Sequence, residues 1–133
     1  QPSFRAGTTT GYATGANPTT VVCSNVQHNV GNGYNSSNGT FTVPSPGTWL
    51  FGVHGNARDV GSSQASSVYA QIMKNGSRMA IYYNSDEPNS SWHQIQGVII
   101  LECATNDAIT FSSGPYTYWD SSMWTQFYGY LLG

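Results

Sequence analysis

The amino-acid sequence predicts an all-β fold, an antiparallel sandwich or barrel. Only 8% of the 133 residues are charged and 14% are aromatic, and Gly, Ser, Thr and Asn fill much of the rest. Such a composition suits many short strands joined by tight turns, whereas helical surfaces usually need more Glu, Lys and Ala. No stretch of ten or more residues keeps a helical period without Gly, Pro or clustered β-branched residues.

Strands are marked by the alternation of apolar and polar side chains. This period-two pattern is clear at 41–43, 49–53, 68–72 and 109–111, and it indicates strands with one buried face. A chain of this length supports one hydrophobic core, so we expect a single domain over 1–133. The core positions that we predict are Phe41, Trp49, Phe51, Leu101 and Phe111.

Turn signals separate these strands. Glycine, proline and asparagine cluster at 31–33, 44–47 and 75–76, and a polar stretch covers 84–93. The pair Asn75-Gly76 supplies the positive φ angles of a type I′ hairpin. We therefore expect this hairpin to join one strand ending near Lys74 to another starting near Arg78.

Charge and motif spacing exclude several classes of function. The net charge is -2 and the four basic residues are scattered, which argues against a nucleic-acid partner. No apolar stretch approaches the roughly 20 residues that span a bilayer, so membrane insertion is not expected. His28, His54 and His93 show no catalytic or metal-ligand pairing with Cys or carboxylates. We therefore expect a binding protein rather than an enzyme.

From Cys23 onward the chain resembles the signature of the C1q globular domain. Further stretches at 3–7, 72–76, 97–107 and 127–132 are similar to other family elements, so the resemblance covers nearly the whole chain. Cys23, Trp49 and Asn106 depart from the family's usual Phe, Tyr and Gly. The residues that carry the signature are Asn29, Tyr34, Gly39, Phe41, Pro44, Gly47, Trp49 and Phe51.

The resemblance implies a ten-stranded jelly-roll sandwich of the C1q and tumour necrosis factor type. It also implies that the last strand runs through the centre of a sheet beside the first, and that the protein assembles as a homotrimer. Because no Gly-X-Y collagen tract is present, the chain is identified as a head-only member of the family.

Cys23 and Cys103 form an even pair, which in a secreted chain favours a disulfide. The resemblance argues for the opposite, since it places both side chains on strands of one sheet separated by two others. That separation exceeds the Cα distance that a disulfide permits. We expect buried free thiols, with the disulfide as the alternative.

Strand alternation predicts that the loops 55–66, 84–93 and 112–123 emerge at one end, away from both termini. This end combines aromatic rings with carboxylates and an imidazole, and such groups suit a saccharide, whose C–H face packs on a ring. The alternative is that the aromatic residues line the trimer contact. The ligand-binding residues that we predict are Asp86, Glu87, Trp92, His93, Tyr116, Tyr118, Trp119 and Asp120.

Some relatives in the family bind calcium near the trimer apex, and Asp59, Asp86 or Asp120 are the oxygen ligands that this resemblance suggests. No loop has closely spaced Asp residues, so calcium is a possible ligand and no cofactor is required. Asn-X-Ser/Thr triplets predict glycosylation of a secreted, extracellular protein. These triplets begin at Asn35, Asn38, Asn75 and Asn89.

The function that we predict is that of a secreted C1q-domain lectin, a pattern-recognition protein that binds glycans or microbial surfaces in innate defence. One alternative is a trimeric signalling ligand that binds a cell-surface receptor in the grooves between protomers. A second alternative is a structural protein of the extracellular matrix. Selective sugar binding would separate the lectin from both.

Overall fold

Two antiparallel β-sheets packed face to face form the protein. The computed structural model describes residues 1–60, 67–85 and 92–133, and all strand pairs among them are antiparallel. No helix in these ranges is long and apolar enough to cross a bilayer. The strands are β1 (Ser3–Gly7), β2 (Tyr12–Ala13), β3 (Thr19–Thr20), β4 (Asn25–Val30), β5 (Tyr34–Asn35), β6 (Thr40–Thr42), β7 (Gly47–Asp59), β8 (Ser67–Lys74), β9 (Ser77–Ser85), β10 (His93–Cys103), β11 (Ala108–Ser113), β12 (Thr117–Trp119) and β13 (Gln126–Leu131).

The first sheet has the strand order β10-β7-β13-β1-β4. β12 pairs with the C-terminal end of β7, on the same side of β7 as β13, and β2 pairs with β12. The second sheet has the order β5-β6-β11-β8-β9, with β3 next to β11. The predicted jelly roll is confirmed, and the last strand does lie beside the first. The described residues contain thirteen strands rather than ten, because β2, β3 and β5 are two-residue segments.

The core is a cluster of aromatic rings between the two sheets. Phe4 stacks on Phe41 with the ring centroids 4.3 Å apart, and Phe41 meets Trp49 edge-on at 5.2 Å. Phe51 lies parallel to Trp49 at 5.8 Å. All five predicted core residues are buried, with Leu101 the most exposed at 7%. Alternation along the strands therefore identified the buried face correctly.

The hairpin between β8 and β9 forms as predicted. Asn75 and Gly76 have φ angles of 51° and 82°, which a type I′ turn requires. The Asn75 side chain also ties the turn to β11, since its Oδ1 accepts from the Ala108 amide at 2.8 Å. Its Nδ2 donates to Asp107 at 2.9 Å. Together with the amide of Ala104, this bond lowers the pKa of Asp107.

All three predicted loops overlap strands, and in the loop 84–93 the overlap is limited to the end of β9 and the start of β10. β7 continues to Asp59, so the first loop begins only after that residue, and β12 lies in the middle of 112–123. The described strand ends that flank these connections lie away from the chain termini, in agreement with the expected end. β7 starts beside the C-terminus, where the Thr48 amide donates to the Gly133 carbonyl at 3.0 Å, and it runs to the opposite end, here called the apical end.

The cysteines are free and buried, as expected, but their positions differ from the prediction. Cys23 lies in the segment before β4 rather than on a strand, while Cys103 ends β10. β4 and β10 are opposite edges of the first sheet, with three strands between them instead of two. Burial raises the pKa of Cys23 to about 12 and also raises that of Cys103.

Replacing Phe41 with Ala will lower the free energy of unfolding by about 3–5 kcal/mol, because the ring fills the centre of the aromatic cluster. The control is Thr42→Ala, an exposed neighbour on the same strand, which should change stability by about 0.5 kcal/mol or less. Unfolding by denaturant, at the same protein concentration, measures the free energy of unfolding of both variants. If the Phe41→Ala protein is as stable as the wild type, the prediction of buried core positions from the alternation is wrong.

Both thiols will resist a maleimide in the native protein at neutral pH and react after denaturation without reductant. Burial blocks access, and the raised pKa keeps Cys23 protonated. Intact mass spectrometry counts the added labels. Two labels in denaturant are expected, whereas no label and a mass about 2 Da below the reduced value would show a disulfide.

Candidate binding surface

The outward face of the first sheet presents its side chains in rows that cross neighbouring strands. Even-numbered residues of β7 point to this face, because those with odd numbers from Trp49 onward are buried. Next to the polar Thr48–Glu102 pair at the terminal end, two rows are apolar, and Val98, Ile100 and Tyr130 are 55%, 60% and 44% exposed. This region, the apolar band, consists of two rows in register, Ile100–Leu50–Tyr130 and Val98–Gly52–Tyr128.

Two polar rows follow towards the apical end. Gln96 and Gln126 flank His54 in the first of them. The second, the amide row, contains Asn56 between Gln94 and Asp120. These rows separate the apolar band from the apical end of the sheet.

The amide row is held rigidly by hydrogen bonds. Asn56 donates from Nδ2 to Oδ2 of Asp120 at 3.2 Å, and Oδ1 of Asp120 accepts from the Ser121 amide at 2.8 Å. The backbone of Asp120 is fixed as well, because its carbonyl accepts from the Thr8 hydroxyl at 2.6 Å. The carboxylate is therefore positioned on the outward face, with lone pairs left to accept from a ligand.

The outermost row, the apical row, consists of Trp92, Arg58 and Tyr118. The Arg58 Cζ atom lies 5.2 Å from the Trp92 ring centroid and 5.6 Å from that of Tyr118. The two rings meet edge-on at 6.0 Å. Each contact is within the range of a cation–π interaction. One cation and two aromatic rings thus form a single unit at the end of the sheet.

Small residues make room for the aromatic side chains of this surface. A Cβ atom at Gly11 would lie 1.8 Å from the Tyr118 hydroxyl, so only glycine fits beside that ring. Tyr118 pairs with Arg58 across β12 and β7, which sets the register of the apical row. Gly11 and this register together hold the Tyr118 ring next to the guanidinium.

Among the residues that the structure describes, aromatic rings rather than an ion pair hold the Arg58 side chain. No carboxylate in the described ranges forms a salt bridge with it, and its buried Nε has no hydrogen-bond partner. Cation–π contacts at exposed sites contribute about 0.5–1 kcal/mol each, less than the roughly 1.5–3 kcal/mol of a hydrogen bond to a charged group. The residue remains partly exposed, so its charge is available to an anion.

Three of the predicted ligand-binding residues lie together on this face. Trp92 is 46% exposed, Tyr118 is partly exposed beside it, and Asp120 occupies the next row. Tyr116 is also exposed, at 43%, in the turn before β12, where its φ angle is 51°. Asp86, Glu87 and the glycosylation candidate Asn89 lie outside the described residues.

The prediction was wrong for Trp119 and His93, which point inward. Trp119 is fully buried, packs edge-on against Phe111 at 5.0 Å and donates from Nε1 to the Ser113 hydroxyl at 2.7 Å. His93 is 6% exposed on the same side of the sheet. Neighbours on a strand face opposite ways, so Tyr118 and Trp119 cannot share a surface. Trp119 is a core packing residue of the single chain, so it fits neither the predicted saccharide site nor the alternative of a trimer contact.

The two calcium candidates among the described residues, Asp59 and Asp120, do not converge, and Asp86 lies outside those residues. Asp59 is 6% exposed on the inward side of β7, whereas the carboxylate of Asp120 lies on the outward face beside Asn56. Calcium needs six to eight oxygen ligands. Within the described ranges no three His, Cys, Asp or Glu side chains group as a metal site requires. Asp59 and Asp120 by themselves therefore do not form a calcium site.

Sequence reasoning missed Arg58 and Asn56. It treated 55–66 as a loop, so the alternation of β7 was not followed beyond Val53. Continuing the same period would have placed His54, Asn56 and Arg58 on one face. That signal was present in the sequence, and it would have added a cation and an amide to the predicted site.

A shallow groove of about 500 Å³ lies on the same face, on the far side of β13 from β10. It runs along β1 and β4 beside the apolar band. A guanidinium, an imidazole and two phenol rings give it a mixed character. Its lining includes Ser3, Arg5, Gln27, His28, Tyr128 and Tyr130.

The three glycosylation candidates among the described residues differ in their surroundings. Asn35 ends β5 and Asn38 lies in the turn that follows; both are exposed, and their side chains accept backbone hydrogen bonds from Ser37 and Thr40, both at 2.9 Å. Asn75 instead uses its side-chain NH₂ group to hold Asp107. Glycosylation stays a prediction, and the β5–β6 turn is its most accessible place among the described residues.

Comparison with known proteins identifies the family. A family model described as the C1q domain matches residues 3–132. The globular domain of zebrafish complement 1qA protein has a TM-score of 0.79 at 13% identity, with 100% of this chain and 98% of that chain covered. Murine APRIL has a TM-score of 0.76 at 13% identity over 96% of each chain. Eiger TNF from S. frugiperda has a TM-score of 0.75 at 10% identity over 100% of this chain and 94% of that one. These structures share the fold, and because the family model runs from β1 to the end of β13, the chain belongs to the C1q domain family.

Proposed function

We propose that this protein is a secreted, trimeric lectin that binds glycans on microbial surfaces through the apical and amide rows. The observation that carries the proposal is the division of one sheet face into an apolar band and a polar, aromatic end. C1q-like domains are non-enzymatic binding modules, form trimers and are typically extracellular. The division supplies one surface for self-association and another for a ligand.

The apical end has the chemistry that saccharides require. Sugar rings have an apolar C–H face, which packs on an aromatic ring such as the half-exposed Trp92. Their hydroxyl groups both donate and accept, so they pair with planar amides and carboxylates such as Asn56 and Asp120. Because these two side chains are already fixed by hydrogen bonds, little ordering is needed on binding.

The apolar band supports the trimer. β10 is the edge strand of the first sheet and contributes Val98 and Ile100, while the groove lies across β13 on the same face. A contact between the edge of one protomer and the groove of the next is a head-to-tail contact. Repeating it gives a closed ring when the rotation that relates neighbouring protomers brings the last one back to the first. Burying exposed Val98, Ile100 and Tyr130 would drive the assembly.

Trimerisation would place three apical rows on one assembly, related by the threefold axis. Linked sites raise the avidity for dense ligands well above the affinity of one site. Glycan-rich microbial coats are such ligands. The trimeric signalling ligand is the rival function, and its receptor would be a single protein rather than a repeated sugar.

Ile100→Glu will convert the trimer to a monomer, because it places a carboxylate in a contact that excludes water. Light scattering should give a mass near three chains for the wild type and one chain for the variant. The control is Ile81→Glu, which replaces an exposed isoleucine on β9 of the other sheet and should leave the trimer intact. A monomeric wild type at micromolar concentration would contradict this assembly.

Trp92→Ala will lower binding to an immobilised glycan at least tenfold and leave the trimer intact. The matched control is Trp124→Ala, since Trp124 is also about half-exposed, at 55%, but lies outside the apical row. A glycan array first identifies the sugar, and titration on that sugar compares the variants. If Trp92→Ala binds like the wild type, the apical row is not the site. Blank arrays together with tight binding to one cell-surface protein would favour the signalling ligand.

A further inference from the structure

We infer that the apical row selects saccharides that carry a carboxylate, with Arg58 as the residue that binds the acid group. This inference rests on the proposed lectin function and specifies its ligand class. It follows from the environment of Arg58, which differs from that of every other cation in the described part of the chain.

The other three Lys and Arg residues are engaged elsewhere. Arg78 donates from Nε to Gln71 at 2.6 Å, and Lys74 donates from Nζ to the Glu102 carbonyl at 3.0 Å. Both lie near the β8–β9 hairpin, while Arg5 lines the groove beside β13. Arg58 is therefore the single Lys or Arg at the apical end, in a protein whose net charge is -2.

The two rings orient the guanidinium without neutralising it. Cζ of Arg58 lies 5.2 and 5.6 Å from the Trp92 and Tyr118 centroids, so two aromatic rings restrict the position of the guanidinium while its charge remains. The edge of a guanidinium is where it donates hydrogen bonds, and its fork matches the two oxygens of a carboxylate. Because the rings reduce the rotamer freedom of the arginine, less entropy is lost when an anion binds.

The neighbouring row gives the ligand a direction. Asp120 is anchored beside Asn56 in the row next to Arg58, and its negative charge disfavours a second carboxylate there. An acidic sugar would therefore place its carboxylate towards Arg58 and its hydroxyls towards Asn56 and Asp120. A neutral sugar would gain only the second set of contacts and the stacking on Trp92, so we expect it to bind more weakly.

The test compares each acid with its own neutral ester on the full chain. The probes are immobilised glucuronic acid and N-acetylneuraminic acid glycosides, the methyl ester of each, and glucose 6-sulfate glycoside. We expect the wild type to bind at least one acid about tenfold more tightly than its ester, a difference of about 1.4 kcal/mol. The preference should weaken as salt rises, because an exposed charge pair is screened.

Variants assign the preference to the arginine. Arg58→Gln should lose the tenfold preference while still binding the ester, and Arg58→Lys should retain part of it because the charge remains without the planar fork. The matched control is Arg78→Gln, which removes a cation from the opposite end of the sandwich and should leave the preference unchanged. Light scattering confirms that each variant stays trimeric.

Three results would overturn the inference, and they are distinguishable. Equal binding of acid and ester by the wild type would remove acid selection while leaving the lectin function intact, and this comparison needs no variant. Equal binding of the sulfate and the acid would show a general anion site rather than a carboxylate site. Binding of no sugar at all, here and on the array, would mean that the proposed function itself has failed.

Discussion

The architecture depends on the alternation of one strand, β7. Its thirteen residues pair with β10 on one side and with β13 and β12 on the other. Trp49, Phe51 and Val53 point into the core, while His54, Asn56 and Arg58 point outward. Because the side-chain period is two, a shift of one residue would expose the aromatic core and bury Arg58. The burial of the aromatic cluster therefore also sets the order of the outward rows.

Alternation in the sequence was sufficient to predict the core, the Asn75-Gly76 turn signal predicted the hairpin, and composition together with the family resemblance predicted the sandwich. It was insufficient where two aromatic residues are adjacent, as at Tyr118-Trp119, because proximity in sequence does not show which of the two points outward. The buried face of β12 is decided by a contact remote in sequence, the fit of Trp119 against Gly55, where a Cβ atom would lie 2.4 Å from the ring. Cation–π contacts with Trp92 likewise depend on a second strand, so no local pattern at Arg58 reveals them.

The outward face separates two kinds of chemistry along one direction. Exposed apolar side chains mark interaction surfaces, and here they occupy the two rows that follow the polar Thr48–Glu102 pair at the terminal end. The His54 row and the amide row lie between them and the apical row. This spacing allows the apolar band to be covered by a neighbouring protomer while the apical row stays accessible. Assembly and ligand binding can then be altered by independent substitutions, one set on β10 and the other at the apical end.

The most direct test of this separation is hydroxyl-radical footprinting of the wild type, with and without the glycan found on the array. Protection is measured side chain by side chain at a concentration that keeps the trimer and at one that dissociates it. The account predicts that assembly protects Ile100 and Tyr130 and that the glycan protects Trp92 and Tyr118. Protection of Trp92 by assembly alone, or of Tyr130 by the glycan alone, would contradict the division of this face into two surfaces.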